Sequence, residues 1–164
     1  MVKTFRELRV YRTARALAAE VYALSKRWPK EERYALTDQI RRSSRSVCAN
    51  VAEAWQKRRY PKHFVSKLTD ADAGAAETQA WLDMALDCGL IDAETHDRMS
   101  TGYDRVLGSL VRMLQDRDRW CGPSARREPE VVYEAGDSAE VVAVEDEGDG
   151  THMPTIPHLD THRA

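Results

Sequence analysis

Seven residues in and just beyond one predicted helix carry the clearest chemistry: Arg41, Arg42 and Arg45, then Lys57, Arg58, Arg59 and Tyr60. Arg41 and Arg45 are one helical turn apart, with Arg42 beside them, and Lys62, His63 and Phe64 follow the second group. A guanidinium is planar and matches phosphate oxygens two at a time, and several such contacts release counterions from a polyanion. Aromatic rings beside them could stack unpaired bases. Carboxylates of a neighbouring subunit could claim the same cations, and so could water.

A second set shares this helix. Gln39, Ser43, Ser46, Asn50, Glu53 and Lys57 step by four and three residues, the spacing of a helix-packing seam. Small side chains allow close approach, and amides fix register by demanding partners. Glu77 and Gln79, on the next helix, are expected to meet them. A Glu53/Glu77 pair would be the one opening for acid–base or metal chemistry. Helical di-metal bundles, however, use Glu-x-x-His motifs, and the chain has none. Ser43, Ser44 and Ser46 lack a histidine in any catalytic arrangement, and no Walker loop, Rossmann fingerprint or Gly-x-Ser-x-Gly occurs. His152, His158 and His162 are loosely spaced and could hold a metal only weakly. No catalytic residue, metal ligand or cofactor is assigned, and the chain reads as a non-enzyme.

Charge is unevenly spread. The net charge is −2, yet residues 1–67 hold 17 Lys/Arg against 6 Asp/Glu, and residues 68–122 hold 5 against 11. Residues 123–164 hold 3 against 10. Blocks of opposite sign suggest partners: nucleic acid, another subunit, or the acidic tail folded over the basic face. Three cysteines without close spacing fit a reducing cytoplasm, and no apolar run has signal-peptide or membrane-span character.

Four predicted helices position these residues. The first opens on a Thr4/Glu7 capping box and carries Phe5, Leu8, Tyr11, Ala14, Leu17, Ala18, Val21, Leu24 and Trp28 on one face, ending at Pro29. A charged connection over residues 30–35 allows one loose turn. The second helix runs from Leu36 or Thr37 to about Lys57, with Leu36, Ile40, Ser44, Val47, Val51 and Ala54 inward and Trp55 beside that stripe. Pro61 suits the first turn of the third, whose inward face is Phe64, Leu68, Ala71, Ala75, Thr78, Leu82, Ala85 and Leu86. Gly74, unfavourable in mid-helix by about 1 kcal/mol, implies a close helix–helix approach. Gly89 suits a left-handed C-cap and Asp92 the next N-cap. The fourth helix presents Met99, Tyr103, Val106, Leu107, Leu110, Met113, Leu114 and Trp120, and Gly122-Pro123 ends it. The fold class is all-α: an antiparallel up-down-up-down four-helix bundle over residues 1–122. Residues 123–164, rich in Glu, Asp, Gly, Pro and Thr, read as a disordered acidic tail.

Five segments resemble the four-helix-bundle family of the 23S ribosomal RNA intervening-sequence protein, in matching order and spacing over about residues 4–121. They are Pro29-Lys30-Glu31-Glu32-Arg33-Tyr34-Ala35-Leu36, Gln39-Ile40-Arg41-Arg42-Ser43-Ser44, Ala49-Asn50-Val51-Ala52-Glu53, Glu77-Thr78-Gln79 and Cys88-Gly89-Leu90-Ile91. Cys48 stands where the family often has proline and Ala54 where it often has glycine, and both changes favour a straight second helix. The resemblance implies a bundle that assembles into a homo-oligomeric ring, typically a pentamer. A related branch resembles the accessory variability determinant of diversity-generating retroelements, a basic ring that works with a reverse transcriptase and its RNA. The expected function is therefore RNA or nucleoprotein binding through the basic face of helix two. The alternative is an oligomeric scaffold for a protein partner, with that face as the subunit interface.

Overall fold

The computed structural model describes residues 2–122. Four long helices carry the fold: α1 (Arg9–Ser25), α2 (Asp38–Lys57), α3 (Pro61–Asp87) and α4 (Ala93–Gln115), followed by a short α5 (Arg117–Cys121). No strand occurs among the described residues. The acidic tail and its three histidines lie outside the described residues.

Side-chain pairings show that neighbouring helices run antiparallel. Ser43 meets Thr78 while Asn50 meets Lys67, so α2 and α3 ascend in opposite directions. Likewise Gln79 reaches Asp104 while Asp83 reaches His96 between α3 and α4. Leu17 lies against Gly102 while Glu20 pairs with Arg98, which closes α4 onto α1. Arg41 and Arg45 approach Ser25 and Tyr22, which links α1 to α2.

The 3.6-residue periodicity of α2 is realised throughout. Leu36, Ile40, Ser44, Val47, Val51, Ala54 and Trp55 are all buried, and the helix is unbroken past Cys48 and Ala54. A π-helical turn, Arg33–Thr37, leads into it. Pro61 takes the first position of α3, where a missing amide proton harms no helical hydrogen bond. Every expected inward residue of α3 is buried except Leu86, which is half-buried. At the end of α3 Gly89 takes φ +67°, so that Leu90 N–H reaches Ala85 O at 2.8 Å and Gly89 N–H reaches Leu86 O at 2.9 Å. This pair of hydrogen bonds satisfies two carbonyls the helix leaves open. Asp92 then caps α4, its carboxylate accepting from Thr95 N–H at 2.8 Å.

Helix one departs from expectation. The Thr4 hydroxyl caps nothing, Phe5–Glu7 forms a single 3-10 turn, and α1 begins only at Arg9. Glu7 does reach back, but to Lys3 N–H at 3.0 Å, one residue beyond the Thr4 N–H that a capping box uses. Leu8, extended at ψ 128°, separates the two elements and turns its own side chain into the core. Helix four also stops early, at Gln115, and α5 carries Trp120 as a separate turn.

Glu77 and Gln79 do not meet the polar stripe of α2. Glu77 is exposed and accepts from Trp81 Nε1, whereas Gln79 donates to Ser100 O and to Asp104 on α4. Gly74, Thr78 and Lys67 take their place. Thr78 donates to Gly74 O at 2.7 Å or Ser43 Oγ at 2.9 Å, and Lys67 bridges Glu53, Asp70 and Asn50. A Cβ on Gly74 would stand 2.6 Å from Ser46 Oγ, which confirms the close approach. Beside Thr78 the buried Tyr103 hydroxyl finds no adequate hydrogen-bond partner, and burial holds its phenol above the ordinary tyrosine range.

One α3–α4 contact is pH-sensitive. His96 Nε2 lies 2.7 Å from Asp83 Oδ1, with Asp97 3.5 Å from the other ring nitrogen and Ser100 Oγ at 3.4 Å. The hydrogen bond to Asp83 raises the imidazole above its usual value, and Asp97 adds to this. A raised folded-state value means that the pair stabilises fully below the unfolded histidine's range. That contribution fades as pH rises through the folded value. Asp83 is largely exposed, which limits the contribution to about 0.2–1 kcal/mol. Asp83→Asn is expected to flatten the decline in urea midpoint between about pH 6 and 8. An unchanged pH slope in that variant would contradict this assignment.

Candidate nucleic-acid interface

The first turns of α2 face the last turns of α1, and this register builds the cation cluster. Arg41 Nε donates to Ser25 Oγ at 2.7 Å, and the buried Ser25 hydroxyl in turn donates to Tyr22 O at 3.3 Å. The Arg41 guanidinium carbon lies 4.9 Å from the centre of the Tyr22 ring, Arg45's lies at 5.7 Å and Lys26 Nζ at 5.8 Å. Tyr22 is 45% exposed, so three cations surround an accessible aromatic face. Arg42 donates to Gln39 at 3.0 Å, and Asp38, Gln39, Arg41, Arg42 and Arg45 line a cleft of about 320 Å3. Asp38 is the one carboxylate on that cleft. Among the described residues none of these four cations has a carboxylate within 4 Å. Like charges held together in this way favour a polyanion.

The second basic group sits elsewhere. Arg41 and Arg58 are 17 residues apart on one helix, which separates them by about 25 Å along its axis. Arg58 stacks on Trp55, its guanidinium carbon 4.0 Å from the ring centre, and donates to Trp55 O. Lys57 is half-buried and Arg59 exposed. Tyr60, 37% exposed, lies edge-on to His63 at 6.1 Å and so keeps surface for a ring to stack on. Phe64 is fully buried and cannot stack on a base. The seven residues thus form two groups at opposite ends of α2. Tyr22, Ser25 and Lys26 join the first, and sequence reasoning missed them. Tyr22 was detectable as an aromatic off the apolar stripe of α1.

The remaining chemical candidates are committed to packing. Glu53 pairs with Lys67 and Glu77 with Trp81, so they form no carboxylate pair. Ser43, Ser44 and Ser46 each return their hydroxyl proton to a carbonyl three residues back. Burial pushes the Cys48 thiol up despite Arg15, which keeps it from being an activated thiolate. Among the described residues no three His, Cys, Asp or Glu side chains gather as a metal site, and no helix is long and apolar enough to cross a membrane.

Fold and pairings together define an all-helical antiparallel bundle protein with a cationic rim where α1 meets α2. The chain belongs to the 23S rRNA-intervening sequence protein family, whose model matches residues 6–112. Among solved structures it is similar to a protein of unknown function from the S23 ribosomal protein family of Bacteroides thetaiotaomicron. The two are 25% identical with a TM-score of 0.60, covering 65% of this chain and 95% of the other. No curated protein matches it.

Proposed function

We propose that this protein is a non-enzymatic, cytoplasmic accessory protein that assembles into a ring and holds RNA, alone or in a nucleoprotein, through the basic residues of α2. The observation that carries this reading is the gathering of Lys26, Arg41 and Arg45 on the exposed Tyr22 ring, beside Arg42 and without carboxylate partners. The family's description, which names a 23S rRNA intervening sequence, supports RNA as the polyanion. A pentamer is the ring the family resemblance implies, and Lys57, Arg58, Arg59 and Tyr60 would extend contact along the subunit.

The test is Arg41→Gln/Arg42→Gln/Arg45→Gln, measuring RNA retention against salt beside oligomer mass. Loss of three phosphate contacts should make the slope of log affinity on log salt shallower by about 2 for a single strand. Arg41 also anchors α1 through Ser25, so the Arg42/Arg45 double variant separates binding from that link. The double variant should keep its mass while losing most of this slope. Failure of the wild-type protein to retain RNA at low salt sinks the reading.

The charge split favours a second reading, an oligomeric scaffold whose subunits pair the basic α1/α2 side with the acidic α3/α4 side of the next copy. In that case the arginine variants lose oligomer mass, and the wild-type ring itself dissociates as salt rises.

A further inference from the structure

A second cleft lies at the other end of the bundle, remote from Tyr22, and measures about 800 Å3. It is bounded by the start of α1, the ends of α2 and α4, and α5. Four arginines line it, Arg9, Arg58, Arg112 and Arg119, against a single carboxylate, Asp116. Among the described residues none of the four has a carboxylate within 4 Å. Its aromatic wall is Trp55 and Trp120, whose rings meet edge-to-face at 6.4 Å, and Arg58 is already stacked on Trp55. Leu8, Val10 and Met113 supply apolar lining.

The C-terminal ends of α2 and α4 point their carbonyl dipoles toward this region and by themselves disfavour an anion. One arginine per helix end would offset that effect. Arg58, which donates to Trp55 O, and Arg112, in the last turn of α4, fill those roles. Arg9 and Arg119 remain beyond that requirement. Taking about half a negative charge for each helix end and one for Asp116, the four arginines leave an excess of about two positive charges. That excess suits a phosphate dianion better than a single carboxylate, because guanidinium edges bind phosphate oxygens in pairs. Trp55 is buried beneath the Arg58 guanidinium, so the half-buried Trp120 ring and that guanidinium plane are the surfaces offered to a flat ring. The volume is within the range of small-molecule sites.

We propose that this cleft binds a nucleoside monophosphate or a close relative, its base against Trp120 and the Arg58 guanidinium that Trp55 backs, and its phosphate among Arg9, Arg112 and Arg119. The site is separate from the Arg41 cluster and does not depend on the RNA reading.

Calorimetric titration of the full-length protein with AMP, adenosine and inorganic phosphate tests it. AMP should bind saturably at one site per chain, and adenosine and phosphate each at least about 10-fold more weakly, since each keeps half of the contacts. Arg112→Gln/Arg119→Gln, two exposed positions whose replacement should leave helical circular dichroism unchanged, should weaken AMP about 10-fold or more. Arg41→Gln/Arg42→Gln/Arg45→Gln should leave it unchanged. The proposal is overturned by absent AMP saturation, or by phosphate binding as tightly as AMP. It is equally overturned if the Arg112/Arg119 variant binds normally, or if the Arg41 cluster variant loses as much affinity.

Discussion

Gly74→Val is expected to destabilise the protein by about 3 kcal/mol, near the upper end for overpacking a tight contact. A Cβ there would stand 2.6 Å from Ser46 Oγ, closer than Cβ atoms come to a neighbour, and valine adds two methyl groups beyond it. Ser46 cannot swing aside freely, because its hydroxyl donates to Ser43 O at 2.8 Å. The Ser43 carbonyl itself is only 3.5 Å from the same point, so the α2 backbone would have to retreat from larger groups. Gly74→Ala should cost less, and adding Ser46→Ala should reverse its effect. With the hydroxyl gone, the remaining contacts at 3.4 and 3.5 Å are ordinary, and alanine favours helix over glycine by about 1 kcal/mol. Urea denaturation of the four combinations gives the coupling directly. A Gly74→Val protein as stable as wild type, or a Ser46→Ala background that gives no relief, would refute the close-packed seam.

Phe64→Ala should lower stability by about 3–5 kcal/mol, while Tyr60→Ala should change it by less than about 1 kcal/mol. The two aromatics are four residues apart, but Phe64 is 0% exposed and Tyr60 is 37% exposed. Thermal midpoint and RNA retention measured on both variants separate their roles. The Phe64 variant should melt about 10 °C or more below wild type. The Tyr60 variant should keep its midpoint and, where Tyr60 stacks on a base, lose about 1–3 kcal/mol of binding. A Phe64 variant that melts normally would remove Phe64 from the core.

The residues that could be placed from the chain alone were those governed by local periodicity. Ile40, Val47, Val51, Phe64, Leu68 and Ala75 recur at helical spacing and are all buried, and Pro61, Gly89 and Asp92 act through their own backbone chemistry. What could not be placed depends on how one helix is rotated against another. Gln79 sits one residue from Thr78, yet it turns to α4 while Thr78 turns to Ser43. Nothing within α3 alone distinguishes those directions. The basic cluster shows the same limit. Helical spacing joined Arg41 to Arg45, but only the α1–α2 register brings Tyr22, Ser25 and Lys26 to them. The Thr4/Glu7 motif failed for a local reason: Glu7 found Lys3 N–H first, and Leu8 took an extended conformation.

The antiparallel order of the helices also sets unequal entropic costs for closing their seams. Lys67 meets Asn50 across 17 residues, whereas Leu17 meets Gly102 across a chain five times longer. Closing the longer loop costs about 1.4 kcal/mol more in chain entropy. The hairpin of α2 and α3 can therefore zip from Pro61 while α1 is still searching for its place. Of the two seams, α1–α4 is the costlier to close from the unfolded chain.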